Sequence, residues 1–304
     1  MDIQKIHKGF IFNRFSLILT LLAFIAIRLM ENPDKWSMNF WLIIVIQIGI
    51  ALFLLYLTQA FVIIRQRTLL PAFFYLLFVG TNSAFFYDLR GSVSALIIVL
   101  CLFLFLCTYQ NSHAQGTAFN ISFLLTLGSF YWQPLLLFFP FFWYGMFRFR
   151  SLNFRTFFAS LVGFIVIYWL LFVWSIYKDD LNIFLNQLPD FRAFYPIQTP
   201  VFTLREWISI GFSLFLYFLA IYKIFMSGIS EKIRAVTTLG SLSVFTVYLF
   251  LLLFLQSSDK FEWALIIYLP LSFLFAHLFT LSTKKITSWL FFITIGLCLI
   301  NFWM

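Results

Sequence analysis

Only 11 acidic residues occur in a chain of 304, so each is a candidate for chemistry. Glu31 and Asp34 follow the first long apolar run, and Arg28 precedes them by about one to two helical turns. Asp88 and Arg90 separate the third run from the fourth, and Asp179, Asp180, Arg192 and Arg205 fall in a single long polar loop. A carboxylate at a membrane boundary can take a proton from an acceptor hydroxyl as a phosphate leaving group departs, or it can hold a divalent metal. Arginine can clamp a phosphate with two parallel N–H donors. These residue types together suit a lipid-linked phosphosugar. On this reading Asp34 is the leading base, Glu31 the second choice and Asp88 the third. Arg28, Arg90, Asp179, Asp180, Arg192 and Arg205 would bind substrate. The competing reading is that all of them are ordinary solvated loop ends.

Other chemistries find no support. The chain has no phosphate-cradling glycine loop, no His-Glu-x-x-His zinc motif and no serine in a nucleophile elbow. Cys101, Cys107 and Cys298 lie in apolar runs without His or Cys at ligand spacing, so packing is expected of them and no structural disulfide. Ionisable residues at membrane depth usually mark ion or proton pathways. None stands mid-run except His277 near one end, which argues against an ion-coupled transporter. Gln47, Gln59, Asn82, Asn120 and Gln133 are read as interhelical hydrogen-bond partners. No cofactor is expected, and a divalent metal only if the chain transfers sugars.

The elements that must position these residues follow from composition. The chain is 63% hydrophobic and 10% charged, with a mean hydropathy of +0.98. A water-facing surface needs about 25% charge, so the expectation is one all-α, polytopic transmembrane bundle over residues 1–304. A crossing helix takes about 20 apolar residues. Runs stand near 15–30, 40–64, 69–87, 93–109, 117–131, 134–147, 156–177, 207–226, 236–256, 262–281 and 286–303, giving about ten or eleven spans. They are continuously apolar rather than alternating, which favours helices over a barrel. The first run lacks a small-x-small cleavage site and is expected to be a retained span.

Pro134 and Pro140 leave two options for residues 117–147: one kinked helix, or a hairpin over Phe119–Phe147. Loop charge decides, because Lys and Arg collect on the cytoplasmic side. With a hairpin and a cytoplasmic N-terminus, 13 of the 20 basic residues lie inside and 9 of the 11 acids lie outside. The single-helix option reverses the basic excess. A hairpin, an inside N-terminus and an external C-terminus are therefore expected. Arg148, Arg150 and Arg155 then serve as orientation signals, a role in which Lys would do equally well. The net charge of +9 is spread over several loops, so no nucleic-acid partner is expected. Trp36, Trp41, Trp132, Trp207, Trp263 and Trp303 fall near run ends, as interfacial tryptophans do. Within the external loop 178–206, Leu181, Phe184, Leu185 and Leu188 follow helical spacing and predict a short amphipathic helix on the outer leaflet, ended by Pro189.

Four segments carry a resemblance: Arg67-Thr-Leu-Leu-Pro71-Ala-Phe-Phe-Tyr75, Phe86-Tyr-Asp88-Leu89, Gly128-Ser-Phe-Tyr-Trp-Gln-Pro134 and Arg148-Phe-Arg-Ser-Leu-Asn-Phe-Arg155. Together they resemble an uncharacterised multi-pass inner-membrane family of Gram-negative bacteria, a domain of unknown function. The same order is distantly similar to the middle of GT-C-type glycosyltransferases, which take sugars from polyprenyl-phosphate donors at the outer membrane face. That likeness implies a catalytic acid in the first outer loop, where Glu31 and Asp34 stand. The one adjacent acidic pair, Asp179-Asp180, instead follows the seventh run. The resemblance implies a location in the bacterial inner membrane. Two functions remain: a structural or assembly component of the envelope, whose partners are lipids and other envelope proteins, and a polyprenyl-phosphate-dependent glycosyltransferase. A deep outer cleft collecting Asp34, Asp88, Arg90 and Asp180 would favour the enzyme; dispersed charges would favour the structural component.

Overall fold

Long runs of Leu, Ile, Phe and Val leave the backbone one local way to satisfy its N–H and C=O groups in hydrocarbon, the α-helix. The structure is a computed structural model that describes residues 9, 15–31, 37–66, 68–82, 85, 88–188, 202–227, 232–256, 259–280 and 285–303, and no β-strand of two or more residues occurs among them. The helices are α1 Phe15–Glu31, α2 Met38–Ala60, α3 Leu70–Gly80, α4 Leu89–Cys107, α5 Gln115–Ser129, α6 Phe138–Arg148, α7 Phe154–Tyr177, α8 Asn182–Gln187, α9 Leu204–Ser227, α10 Ile233–Leu255, α11 Lys260–Thr280 and α12 Lys285–Trp303. A 3-10 turn, Gln133–Leu137, leads into α6. Seven of these helices (α2, α4, α7, α9, α10, α11 and α12) are long and apolar enough to cross a bilayer, and the chain is a multi-pass membrane protein.

The third run departs from the sequence reading. Its helix ends at Gly80, with the Thr81 N–H closing on the Leu77 carbonyl. Eleven residues give only about 16 Å of helix, against about 30 Å of hydrocarbon. Apart from Leu77, α3 is buried all round, so it is a core helix whose apolar sequence is satisfied by protein rather than lipid.

The chain forms two compact units, residues 1–95 with 200–304, and residues 96–199; α4 begins in the first and continues into the second. In the first unit α11 is the centre: every residue from Leu265 to Thr280 is buried, and the helix packs against α3, α9, α10 and α12. Lipid removes the hydrophobic drive for helices to associate, leaving close packing and interhelical hydrogen bonds. The packing here is aromatic. Phe74 stacks on Phe279 at 5.2 Å, Phe78 on Tyr268 at 5.1 Å, and Phe291 of α12 meets Phe74 at 6.0 Å. Each such pair adds about 0.5–1.5 kcal/mol beyond its buried area.

In the second unit α5 and α7 run parallel and close together. A Cβ on Gly163 of α7 would lie 2.6 Å from the Phe119 carbonyl oxygen of α5. Nearer their starts, Asn153 Nδ2 donates to the Ser112 carbonyl at 3.3 Å. Helix α6 runs antiparallel to α7: Phe139 meets Phe164, Trp143 meets Phe157, and Trp143 Nε1 donates to Ser160 Oγ at 3.0 Å. Its end returns to the end of α4, where the Gln110 N–H reaches the Phe149 carbonyl at 3.0 Å. The chain therefore reverses between Ser129 and Gln133, as the charge distribution required and as one kinked helix could not.

Helix α8, Asn182–Gln187, coincides with the expected amphipathic segment. Phe184 packs on Phe172 of α7 at 5.3 Å, while Leu181, Leu185 and Leu188 stay exposed. Pro189 and Arg192 lie outside the described residues.

Candidate functional site

In the first unit, one end of the bundle gathers the end of α1, the start of α4, the starts of α9 and α11 and the ends of α3 and α12. Local sequence explains several of the side chains there. Thr203-Leu-Arg-Glu206 is a capping box: the Thr203 N–H donates to Glu206 Oε2 at 2.7 Å, and the Glu206 N–H donates to Thr203 Oγ1 at 3.3 Å. Asp88 caps α4 in the same manner, Oδ1 accepting from the Gly91 N–H at 2.7 Å and the backbone carbonyl from Ser92 Oγ at 2.8 Å.

Charges at this end bond across helices. Lys260 Nζ of α11 sits 3.1 Å from Glu206 of α9, with both side chains largely shielded from solvent. Arg205 Nη2 reaches the carbonyls of Thr81 and Phe302, each at 3.4 Å. Arg90 lies 4.0 Å from Glu262, a long contact whose arginine is more than half exposed. Asn301 Nδ2 of α12 donates to Ser209 Oγ of α9 at 2.9 Å.

Arg28 is wholly buried, with its Nη2 2.7 Å from Gln47 Oε1 and 3.3 Å from the Val79 carbonyl. Its guanidinium carbon lies 5.3 Å from the Phe24 ring. Gln47 Nε2 continues the chain to Ser92 Oγ at 3.2 Å. A buried arginine is tolerated when its donors meet acceptors of fitting geometry, and this network joins α1, α2, α3 and α4.

The nominated residues separate as follows. Asp88, Arg90, Arg28 and Arg205 all belong to the first unit. Asp34 and Arg192 lie outside the described residues, as does the side chain of Glu31, the last residue of α1. Asp179 and Asp180 belong to the second unit; both are exposed, and Asp180 Oδ1 accepts from the Asn182 N–H at 3.0 Å at the start of α8. Lys260, Asp259 and Glu262 were not singled out from sequence, because they stand inside or beside a long apolar run. The Thr-x-x-Glu spacing ahead of α9 marks Glu206 as a helix-start residue.

Burial raises the Asp88 carboxyl above its ordinary range; the Gly91 N–H and Arg90 oppose this, and the nearby Asp259 adds to it. Two adjoining cavities at this end share Asn82, Ser209 and Tyr268, and each measures about 30 Å³. That is room for one or two waters. A small-molecule pocket takes about 300–1,000 Å³, so neither cavity accepts a phosphosugar as it stands. Among the described residues, no three His, Cys, Asp or Glu side chains come together to hold a metal. Comparison of the chain with protein-family models, with curated proteins and with solved structures found no match to any of them.

Proposed function

We propose that this multi-pass protein is a structural or assembly component of the cell envelope, embedded in the inner membrane. The observation that supports this reading is that the charges suited to chemistry are engaged with other helices. Glu206 bonds Lys260, Arg205 bonds two helix-terminal carbonyls, and Arg28 bonds Gln47 and Val79. Each contact ties helices that hydrophobic association cannot hold together in lipid.

The proposed topology has eleven passes, the short α3 counted as one that is enclosed by protein, with a cytoplasmic N-terminus and an external C-terminus. Its support is the segregation of charge. In the first unit, the end that holds Asp88, Glu206, Asp259 and Glu262, balanced by Arg28, Arg90, Arg205 and Lys260, faces outward. The opposite end carries only cations among its described charged residues: Arg65, Lys223, Lys232 and Arg234. In the second unit Arg148, Arg150 and Arg155 share one end, and Asp179 and Asp180 stand at the other beside Lys178.

One observation favours the glycosyl-transfer reading. Asp88 Oδ2 is buried without a hydrogen-bond partner, and its raised carboxyl suits a general base. A deletion strain separates the two readings. It is complemented with wild type, Asp88→Asn, Asp34→Asn and Glu31→Gln, and whole-envelope glycan and glycoprotein profiles are compared. A structural component requires all three variants to complement any defect. Loss of one glycan with a single acid variant, the protein remaining at normal abundance, would instead establish transfer chemistry. An unchanged profile in the deletion itself would exclude transfer.

A further inference from the structure

At the Arg148–Arg155 end of the second unit, an open hollow of about 740 Å³ lies between the loop that enters α5 and the loop that enters α7. Its size is within the range of ligand pockets, about 300–1,000 Å³. Arg155, His113, Gln115 and Asn153 supply its polar wall, and Phe154 and Phe157 part of its apolar wall. We infer that this hollow binds a phosphate group, carried on a lipid headgroup or on a free phosphorylated solute.

Four observations converge on an anion. Helices α5 and α7 both begin at the hollow, so two positive dipole ends meet there, while the Asn153–Thr156 capping box engages the start of α7 itself. No side chain caps the start of α5, which leaves its first donors for a ligand. Arg155 adds a fork of donors matched to phosphate oxygens, and His113 adds an imidazole. No Asp or Glu occurs anywhere between Asp88 and Asp179, so no carboxylate of this unit's helices α5, α6 or α7 competes for the cations. The geometry is held in place, since Asn153 bonds Ser112, both lining the hollow, and Gly163 lets α5 and α7 approach closely. Phe154 at the rim is 86% exposed, an apolar surface beside the polar one, as a lipid would use.

This gives Arg155 a role beyond orientation, and Arg148 supplies the control. Arg148 has the same charge, stands at the same end, is exposed, and does not line the hollow. Gly116 supplies a second test. A Cβ there meets nothing within 4 Å, so Gly116→Glu fits. An acid in the first turn favours the helix but repels an anion, so stability and binding should move in opposite directions.

The experiment uses the full-length protein in nanodiscs of a phosphate-free galactolipid. One arm is doped with phosphatidic acid, the other receives inorganic phosphate, and bound phosphorus is read by ³¹P NMR and native mass spectrometry. Wild type should bind in at least one arm: phosphatidic acid alone identifies a headgroup site, and inorganic phosphate a solute site. Arg155→Gln should weaken binding roughly tenfold, and Arg155→Lys should fall between, because an ammonium lacks the fork. Arg148→Gln should bind as wild type. Gly116→Glu should bind more weakly with an unchanged or higher melting midpoint. Absence of binding in both arms overturns the inference. So does an equal loss from Arg148→Gln and Arg155→Gln, which would mean diffuse surface charge.

Discussion

Gly163→Ala is the sharpest test of the packing that sets α5 beside α7. The added Cβ would stand 2.6 Å from the Phe119 carbonyl oxygen, 3.1 Å from Ser122 Cβ and 3.3 Å from the Phe119 carbonyl carbon. The nearest atom is helix backbone and cannot rotate away. Since ordinary contact begins at 3.4 Å, the two helices must part by roughly 0.8 Å to relieve it. Overpacking of this kind costs about 1–3 kcal/mol. Replacing glycine by alanine within a helix returns about 0.5–1 kcal/mol of backbone entropy. The net expectation is a loss of up to about 2.5 kcal/mol, centred near 1. Gly49→Ala is the matched control: a Cβ on Gly49 of α2 meets nothing within 4 Å, so only the entropic gain applies. The assay is unfolding in mixed micelles by titration with sodium dodecyl sulfate, followed by far-ultraviolet circular dichroism. The two variants should shift the midpoint in opposite directions. If Gly163→Ala stabilises as Gly49→Ala does, the close approach of α5 and α7 is wrong, and the hollow at their starts loses its support.

Arg28→Met should cost about 1–3 kcal/mol in the same assay, because it strands buried Gln47 Oε1. Adding Gln47→Leu should recover part of that loss, and a purely additive pair would refute the network. Asp88 ties stability to pH. Its raised carboxyl means that the folded state holds the proton more tightly than the unfolded state does. The resulting contribution is complete below the ordinary carboxylate range and is lost as pH rises through the raised value. Asp88→Asn keeps an acceptor for the Gly91 N–H, so its melting midpoint should vary less with pH and exceed wild type at about pH 8. An unchanged pH profile would show that Asp88 is not the source. For topology, reporter fusions after Arg155 and after Lys285 should read cytoplasmic, and one at Met304 external. A cytoplasmic Met304 would remove the odd number of passes.

Composition and charge placement by themselves determined the membrane class, the helical secondary structure and most run boundaries, because hydrocarbon permits few ways to satisfy a backbone and each crossing needs a set length. The reversal at residues 130–132 was legible for the same reason: without it, the basic residues would fall on the wrong side. Sequence could not tell whether α3 faces lipid or protein. Leu, Phe and Val at positions 70–80 look alike to lipid and to a protein core, and only the packing of α1, α2 and α11 around them distinguishes the two. Partners were equally hidden. Arg28 stands at the end of an apolar run, as a solvated loop residue would, yet the fold buries it against Gln47. Lys260 and Glu206 lie 54 residues apart and meet only because α9 and α11 start at the same end. The hollow beside Arg155 likewise exists because α5 and α7 run parallel, which brings together two helix starts and an arginine from separate loops. Hydropathy and charge are sums over local residues and survive any packing, whereas a site is a set of distances between remote residues, which only the packed helices determine.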